Sequence, residues 1–322
     1  MMATLLLTAC STDVSRTNPA LPPGFQETQV PTGEIPAYLY IGQDSTVTIP
    51  TERFVNTEEI DESIRQTFVI PQILEVSGLS LWTNSSLDSS ARSVTFPDDK
   101  TAKLVQTLMS NRRDMRGTTS WRDGMTVNLV SGSGDWAGNI ERALKANQRS
   151  PFNEAYPVIW DLLHIMPESA PGKPVGVGFV HVNDALMTSL ASNAGLNLSG
   201  IGQAFGAANV SDIAFVAYAE SPLTLPMTVG PDYFKEAGLG AVFVARSTYP
   251  GFVLSFFLGS FADRAGLDQG PTVKGQQVLV KELEGAYLMV ATVGSTFFVT
   301  LAPTREMAEV LISRSLAPHV TG

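Results

Sequence analysis

The side chain with the clearest chemical potential in this sequence is the thiol of Cys10, the only cysteine among 322 residues. It ends a short apolar run that starts at Met1, and Leu7, Thr8 and Ala9 come directly before it. A cysteine thiolate is a nucleophile, and small residues such as Thr8 and Ala9 leave the neighbouring backbone open to a peptidase. These residue types, in this order, predict covalent modification of the sulfur and cleavage of the chain next to it.

The tetrapeptide Leu7-Thr8-Ala9-Cys10 resembles the lipobox of bacterial lipoproteins, in which an aliphatic residue and two small residues precede a cysteine. The resemblance implies that residues 1–9 are residual signal peptide and that the Cys10 sulfur receives a diacylglycerol, with further acylation of the new N-terminus. Each buried acyl CH2 contributes about 0.8 kcal/mol, and stable anchoring takes about two chains. The resemblance therefore implies an extracytoplasmic, lipid-anchored protein of the cell envelope, attached to a membrane through Cys10.

The leader before Cys10 is short for a signal peptide, which has a positively charged start and an apolar stretch of roughly 7–15 residues. No Lys or Arg precedes Cys10, so we expect that the natural start lies upstream of Met1 or that the leader has been shortened. Residues 11–34 are polar, contain four prolines and show no apolar periodicity, a composition typical of an extended or disordered tether. The sequence thus predicts a lipidated cysteine and a flexible stalk over residues 10–34.

The remainder, about 290 residues, is enough for one large domain or two of ordinary size. The formal net charge of −10 argues against a nucleic-acid partner, because nucleic-acid-binding proteins present a basic face. It also argues against a second, electrostatic attachment to anionic lipid. No later segment reaches the roughly 18 apolar residues of a membrane-spanning helix, so the expected attachment to the membrane is through Cys10.

Periodicity, helix caps and turn residues predict alternating strands and helices along this remainder. Asp123-Gly124 lies between two alternating runs and is a strong hairpin signal. Strands are predicted over 37–41 and 46–49 as a pair, and over 73–82, 91–96, 118–122, 125–130, 175–182, 213–219, 241–246, 277–282, 286–292 and 296–301. Helices are predicted over 57–68, 97–111, 135–146, 157–166, 184–193, 250–264 and 303–316, with Pro303 at the first position of the last one.

Two segments, residues 35–150 and 175–322, show the same order of strand, helix, antiparallel strands and helix. A less regular connector with several prolines lies between them over 151–174. The sequence therefore predicts an α+β fold of two similar units, each an antiparallel sheet covered on one face by helices.

Short sequence matches accompany this repeated order. Ala91-Arg92-Ser93 and Ala245-Arg246-Ser247 each precede a proline and a helix, and the run from Gly124 to Val130 parallels the run from Gly294 to Leu301. An internal duplication explains these matches, and so does chance similarity between short strands. The order of elements also resembles that of uncharacterised bacterial lipoproteins with paired α+β units, a resemblance that implies no particular activity.

Three histidines, His164, His181 and His319, lie far apart in the chain and lack the spacing of a metal site. We predict no metal or cofactor, and we interpret His181, which lies in an apolar run, as structural rather than as a ligand or base. Gly132-Ser133-Gly134 precedes a helix but lacks the Gly-x-Ser-x-Gly spacing of α/β-hydrolases. The sequence therefore favours a non-enzymatic protein over an enzyme and predicts no catalytic residue.

Acidic residues cluster in the run Glu58 to Glu62 and in the pair Asp98-Asp99. The run is interpreted as the start of a helix, where negative charge is favourable, and the pair as a helix cap with Asp135 in a similar role. A glycosidase with two carboxylates distant in the chain stays an open alternative, because nothing in the sequence selects a pair.

Aromatic residues recur at helical spacing in the predicted helix 250–264: Phe252, Phe256, Phe257 and Phe261. They are interpreted either as the buried face of a helix or as the lining of an apolar groove for a lipid-like ligand. Tryptophans could stack on sugars if they were exposed, although tryptophan is usually largely buried: Trp82, Trp121, Trp136 and Trp160.

The leading functional prediction is a lipid-anchored envelope protein with a non-enzymatic binding or structural role. One alternative is the solute-binding lipoprotein of an importer, which shares the anchor and tether but usually has two α/β lobes around a cleft. Another alternative is a hydrolase whose site the sequence does not reveal.

Overall fold

The secondary structure comes from a computed structural model, which describes residues 14–31, 35–42, 47–54, 60, 62, 66, 68–84, 88–110, 117–132, 134–182, 205–225 and 232–320. The strands are β1 (Gln29–Pro31), β2 (Ala37–Ile41), β3 (Val47–Pro50), β4 (Ile73–Val76), β5 (Gly78–Asn84), β6 (Ser89–Thr95), β7 (Thr118–Asp123), β8 (Thr126–Ser131), β9 (Arg149–Pro151), β10 (Lys173–His181), β11 (Val210–Ala219), β12 (Leu239–Ser247), β13 (Asp268–Val273), β14 (Gln276–Leu283), β15 (Ala286–Val293) and β16 (Thr296–Ala302). The helices are α1 (Asp99–Ser110), α2 (Asp135–Lys145), α3 (Phe152–Ala155), α4 (Pro157–Leu163), α5 (Asp232–Glu236), α6 (Gly251–Ala265) and α7 (Arg305–Leu316).

One large sheet forms the centre of the fold. It has 12 strands in the order β13-β14-β15-β16-β12-β11-β10-β2-β5-β6-β8-β7. Every neighbouring pair in this order is antiparallel. Two small sheets, β1 with β9 and β3 with β4, lie outside it. The predicted α+β fold with antiparallel sheets is confirmed.

The strand order repeats on the two sides of the central pair, β2 and β10. Outward from β2 come β5, β6, β8 and β7, and outward from β10 come β11, β12, β16 and β15. In the same way, α1 follows β6 as α6 follows β12, and α2 follows β8 as α7 follows β16. The second half carries an additional hairpin, β13–β14, at its outer edge. The predicted unit boundaries at residues 35–150, 151–174 and 175–322 stay predictions.

The two short sequence matches behave differently in this arrangement. Gly124 and Gly294 both occupy hairpin turns, with φ of 56° and 57°, and the residues that follow them, Val127 and Phe297, lie on the same face of the sheet. Ala91 lies on one face, whereas Ala245 of the second match lies on the other. A slip of one residue moves a side chain across the sheet, so only the glycine match has equivalent positions in the two halves.

Helices cover both faces of the sheet, and the predicted one-sided cover is wrong. The front face, which carries Val177, Phe179 and Tyr218, packs against α2, α3, α4 and α7. The back face, which carries Val94 and Phe297, packs against α1 and α6. The cause lies in strands such as β16, which is buried along its whole length, whereas a sheet with one open face would alternate buried and exposed residues.

The predicted pairing of residues 37–41 with 46–49 is wrong, although both segments are strands. β2 pairs with β5 and β10, and β3 pairs with β4. β2 carries buried side chains on both faces, Tyr38 and Tyr40 in the front core and Ile41 in the back core, as expected for a strand inside the sheet that has a partner along each edge. The predicted strand over 73–82 is likewise two strands, divided at Ser77.

Helix α1 forms as the sequence predicts. Asp98 precedes it, and its Oδ1 accepts a hydrogen bond from the Thr101 amide at 2.9 Å, which is the expected N-cap contact. The residues of its buried face recur at helical spacing: Ala102, Val105, Leu108 and Met109. Asp135 is not a cap, because it is the first residue of α2 and Gly134 holds the N-cap position. The predicted helices over 57–68 and 184–193 lie largely outside the described residues.

The N-cap of α7 is Thr304. The prediction placed Pro303 at the first helical position, which would have made Ala302 the N-cap. The side-chain oxygen of Thr304 accepts a hydrogen bond from the Met307 amide at 3.2 Å. Substitution of a capping threonine by alanine costs about 1 kcal/mol, so we expect Thr304→Ala to lower the free energy of unfolding by about that amount. Chemical denaturation followed by circular dichroism measures it, with Thr304→Ser as the control that retains the cap; equal losses in both variants would contradict this role.

Within the described residues, no helix is both long enough and apolar enough to cross a bilayer.

Candidate functional site

The N-terminal segment, residues 14–31, lies along the front face of the sheet. The flexible stalk predicted over residues 10–34 is therefore wrong for this part of it. Phe25 and Val30 have no exposed surface, and β1 pairs with β9 in register. The prolines that suggest a tether are compatible with burial, because a proline such as Pro19 or Pro22 has no N–H to leave unpaired and both are buried.

Thr17 fixes the segment to the end of helix α4. Its amide donates to the His164 carbonyl oxygen at 2.6 Å, and its hydroxyl lies 2.9 Å from that oxygen and 2.6 Å from the Met166 carbonyl oxygen. These carbonyls are available because His164 is the C-cap of α4 and Met166 lies beyond the helix, so neither C=O has a partner within it. Thr17 is 8% exposed, so loss of its hydroxyl would leave buried acceptors with one donor fewer.

His319 binds the residues that directly follow α4. Its Nε2 donates to the Ile165 carbonyl oxygen at 2.9 Å, and its ring stacks on Phe298 with the centroids 5.1 Å apart. Among the described residues, its Nδ1 is buried without a hydrogen-bond partner. Burial is the main cause that lowers the pKa of His319 below 6.5, while the bond to Ile165 acts in the opposite direction. The site therefore holds a neutral imidazole with its proton on Nε2.

Three aromatic rings pack around Phe25, in the middle of the segment. The ring of Phe25 lies 4.8 Å from that of Phe152, 5.5 Å from that of Tyr40 and 6.5 Å from that of Trp160, between centroids. The Tyr40 hydroxyl donates to the Pro23 carbonyl oxygen at 3.1 Å. Aromatic pairs of this kind contribute about 0.5–1.5 kcal/mol each beyond their buried area, so Phe25 is the main apolar anchor of the segment.

Polar contacts at the surface complete the docking. The Ser15 hydroxyl donates to the Pro318 carbonyl oxygen at 2.6 Å, and Arg16 lies 3.5 Å from Asp161. Both side chains of that ion pair are more than half exposed, and exposed pairs contribute little. Buried residues such as Thr17 and Phe25 therefore contribute more to docking than this exposed ion pair. We call the surface formed by residues 14–23, 157–173 and 314–320 the dock side.

All four tryptophans belong to the front core or pack against it: Trp82, Trp121, Trp136 and Trp160. Trp82 is buried, and the other three are partly buried. A row of exposed rings for stacking on sugars is therefore absent from this set, which agrees with the expectation that tryptophan is usually buried.

His181 forms a second polar cluster at the end of the central strands. It lies opposite Asp212 in the β10–β11 register, and its Nδ1 donates to the Asp212 carboxylate at 2.5 Å. The Ser211 hydroxyl donates to the other carboxylate oxygen at 2.5 Å. The hydrogen bond from His181 is the first cause that holds the pKa of Asp212 below its ordinary value, followed in the same direction by Ser211.

This cluster does not have the order of contacts of a serine hydrolase. In such enzymes the serine bonds to the histidine, and the carboxylate orients that histidine. Here Ser211 bonds to Asp212 instead, so His181 has no serine to activate within the cluster. Among the described residues, no group of three His, Cys, Asp or Glu side chains could hold a metal ion.

The predicted phenylalanine groove is only partly visible. Phe252 is 65% exposed at the start of α6, and other residues of that helix, Leu254 and Ala262, are buried in the back core. The side chains of Phe256, Phe257 and Phe261 lie outside the described residues, as do Cys10 and Ser133. The groove and the lipidation site stay predictions.

Sequence reasoning missed Thr17, Phe25 and Asp212. Nothing in the neighbourhood of Thr17 indicates that its partners lie some 150 positions away, at His164 and Met166. Phe25 carries a signal, because a large aromatic residue and Val30 are unusual in a freely solvated tether.

Comparison with known proteins gives a distant structural likeness. No family model matches the chain, and no curated protein sequence matches it. The Treponema protein TP0453 in crystal form III has 10% sequence identity and a TM-score of 0.38, over 88% of this chain and 96% of TP0453. Crystal form I gives 9% identity and a TM-score of 0.36, over 89% and 95% of the two chains. A likeness of this size assigns no function to the chain.

Proposed function

We propose that the chain is a lipid-anchored protein of the bacterial cell envelope, held at a membrane by acylated Cys10 and serving a binding or structural role. The lipobox-like tetrapeptide supports it from the sequence. The observation that carries it is the docked segment, which joins the fold at Val14, four positions after Cys10. Cleavage before Cys10 would leave in place every docking contact of the described residues, 14–31, so a mature lipoprotein would keep the fold described above.

Metabolic labelling tests the anchor. Cells that produce the chain with a complete leader are fed a fatty-acid analogue, and the label on the purified protein is compared between wild type and Cys10→Ala. We expect the label to be lost in Cys10→Ala and the variant to leave the membrane fraction. The matched control is Ser11→Ala, which keeps the sulfur and should stay labelled. Equal labelling of wild type and Cys10→Ala would reject the proposal.

The two alternatives gain no support from the geometry of the residues that the structure describes. A solute-binding protein of an importer has lobes that close on a ligand, whereas here one continuous antiparallel sheet runs through both halves. A hydrolase needs a nucleophile or activated water beside a base, and the His181 cluster directs its serine to the carboxylate instead. A binding or structural role therefore remains the proposal.

A further inference from the structure

We infer that the docked N-terminal segment fixes the orientation of the molecule, so that the dock side faces the lipid headgroups of the membrane. This inference rests on the proposed acylation of Cys10. It adds which surface of the protein lies next to the lipid and what holds it there.

The first argument is the length of the tether. Ser15 is already bonded to Pro318, and it lies five positions after Cys10. An extended chain spans at most ~3.6 Å per residue, so Cys10 lies within about 18 Å of that contact. The predicted free stalk, with 24 positions between Cys10 and Glu34, would have allowed about 85 Å.

The width of the molecule limits the positions that the membrane can take with a tether this short. Neighbouring strands lie about 4.8 Å apart, so a sheet of this size is roughly 50 Å wide. A tether of about 18 Å cannot reach around such a body. The membrane therefore lies on the side where the segment docks.

The second argument is charge. The segments of the dock side carry three cations and two carboxylates: Arg16, Lys173, Arg314, Asp161 and Glu168. The whole chain has a net charge of −10, so the acidic excess lies elsewhere. Because membrane surfaces with anionic lipid repel negative charge, the dock side is less strongly repelled than the remainder of the protein.

The dock side also offers a position for a probe. Val158 on α4 is 59% exposed and lies three residues before Asp161, which pairs with Arg16. Residues three apart are neighbours on a helix surface, so a label at Val158 reports on the dock side. Lys103, exposed on α1, provides the matched position on the back face.

Fluorescence quenching tests the orientation. The acylated full chain, with Val158→Cys or Lys103→Cys carrying a fluorophore, is reconstituted into phosphatidylethanolamine–phosphatidylglycerol vesicles that contain a lipid with a nitroxide headgroup. We expect strong loss of intensity for the label at position 158, while the label at position 103 keeps the intensity measured in vesicles without nitroxide. Thermal melting of both variants confirms that each is folded.

A longer tether supplies the control. A flexible Gly/Ser insertion between Cys10 and Val14 leaves the docking contacts in place but releases the constraint, so quenching at position 158 should fall toward that at position 103. Vesicle-bound protein with equal quenching at the two positions, or quenching unchanged by the insertion, overturns this inference alone. Protein that binds no vesicles, with wild type equal to Cys10→Ala, overturns the proposed function as well.

Discussion

Phe25→Ala is expected to release the N-terminal segment from the front face. Truncation of a fully buried phenylalanine costs about 3–5 kcal/mol, and Phe25 has no exposed surface and touches three other aromatic rings. The loss should appear as faster hydrogen exchange of the Thr17 amide, which is bonded to His164 in the docked state. Limited proteolysis should then cut the chain before β2, where the wild type resists.

Phe252→Ala is the matched control for this prediction. It removes the same number of atoms from a side chain that is 65% exposed, and surface substitutions usually change stability by less than about 0.5 kcal/mol. If the two variants lost equal protection at Thr17, or if Phe25→Ala kept the wild-type exchange rate, the docking described here would not be what protects the segment.

Acidification is expected to lower the free energy of unfolding, because protonation of His319 favours the unfolded chain. Its pKa in the folded state is lowered from 6.5, so below that value the unfolded chain binds more protons than the folded one. The contribution of His319 to the free energy of unfolding is therefore fully present above about pH 6.5, and it is lost as the pH falls below that value. Protonation would place a second N–H, on Nδ1, in a buried position without a partner among the described residues.

The measurement is the free energy of unfolding between pH 7 and pH 5, compared between wild type and His319→Gln. The glutamine amide can donate to Ile165 and does not titrate, so the variant should lose much of this pH dependence. Asp212→Asn serves as the contrast. Because the pKa of Asp212 is lowered from 3.8, its contribution is complete above that value and is lost only in more acidic solution. A His319→Gln protein with the wild-type slope would contradict the assignment.

Local signals in the sequence were sufficient for the elements that are fixed by nearby residues. The β7–β8 hairpin follows from Gly124, whose φ of 56° suits glycine. Helix α1 follows from the cap at Asp98 and from an apolar spacing that matches a single buried face. In both cases the residues that decide the structure lie within one helical turn or one hairpin of each other.

Contacts between distant segments were not predictable in this way. The partners of β2 lie about 40 and about 140 positions away, and the short spacing to β3 suggested the wrong pairing. β13 was missed because Gly270 and Pro271 interrupt its pattern, and its register with β14 shifts at that point. The docking of residues 14–31 was missed for a related reason. The segment has a composition typical of a tether, and the partners that bury residues such as Thr17 lie about 150 positions away.

The contact between Ser15 and Pro318 joins two positions that are 303 residues apart. A chain made from its N-terminus cannot form this contact until nearly all of it has been synthesised and α7 has folded. Ser15 is therefore held by this contact only late in synthesis, so the proposed acylation of Cys10 would not have to compete with it before that point.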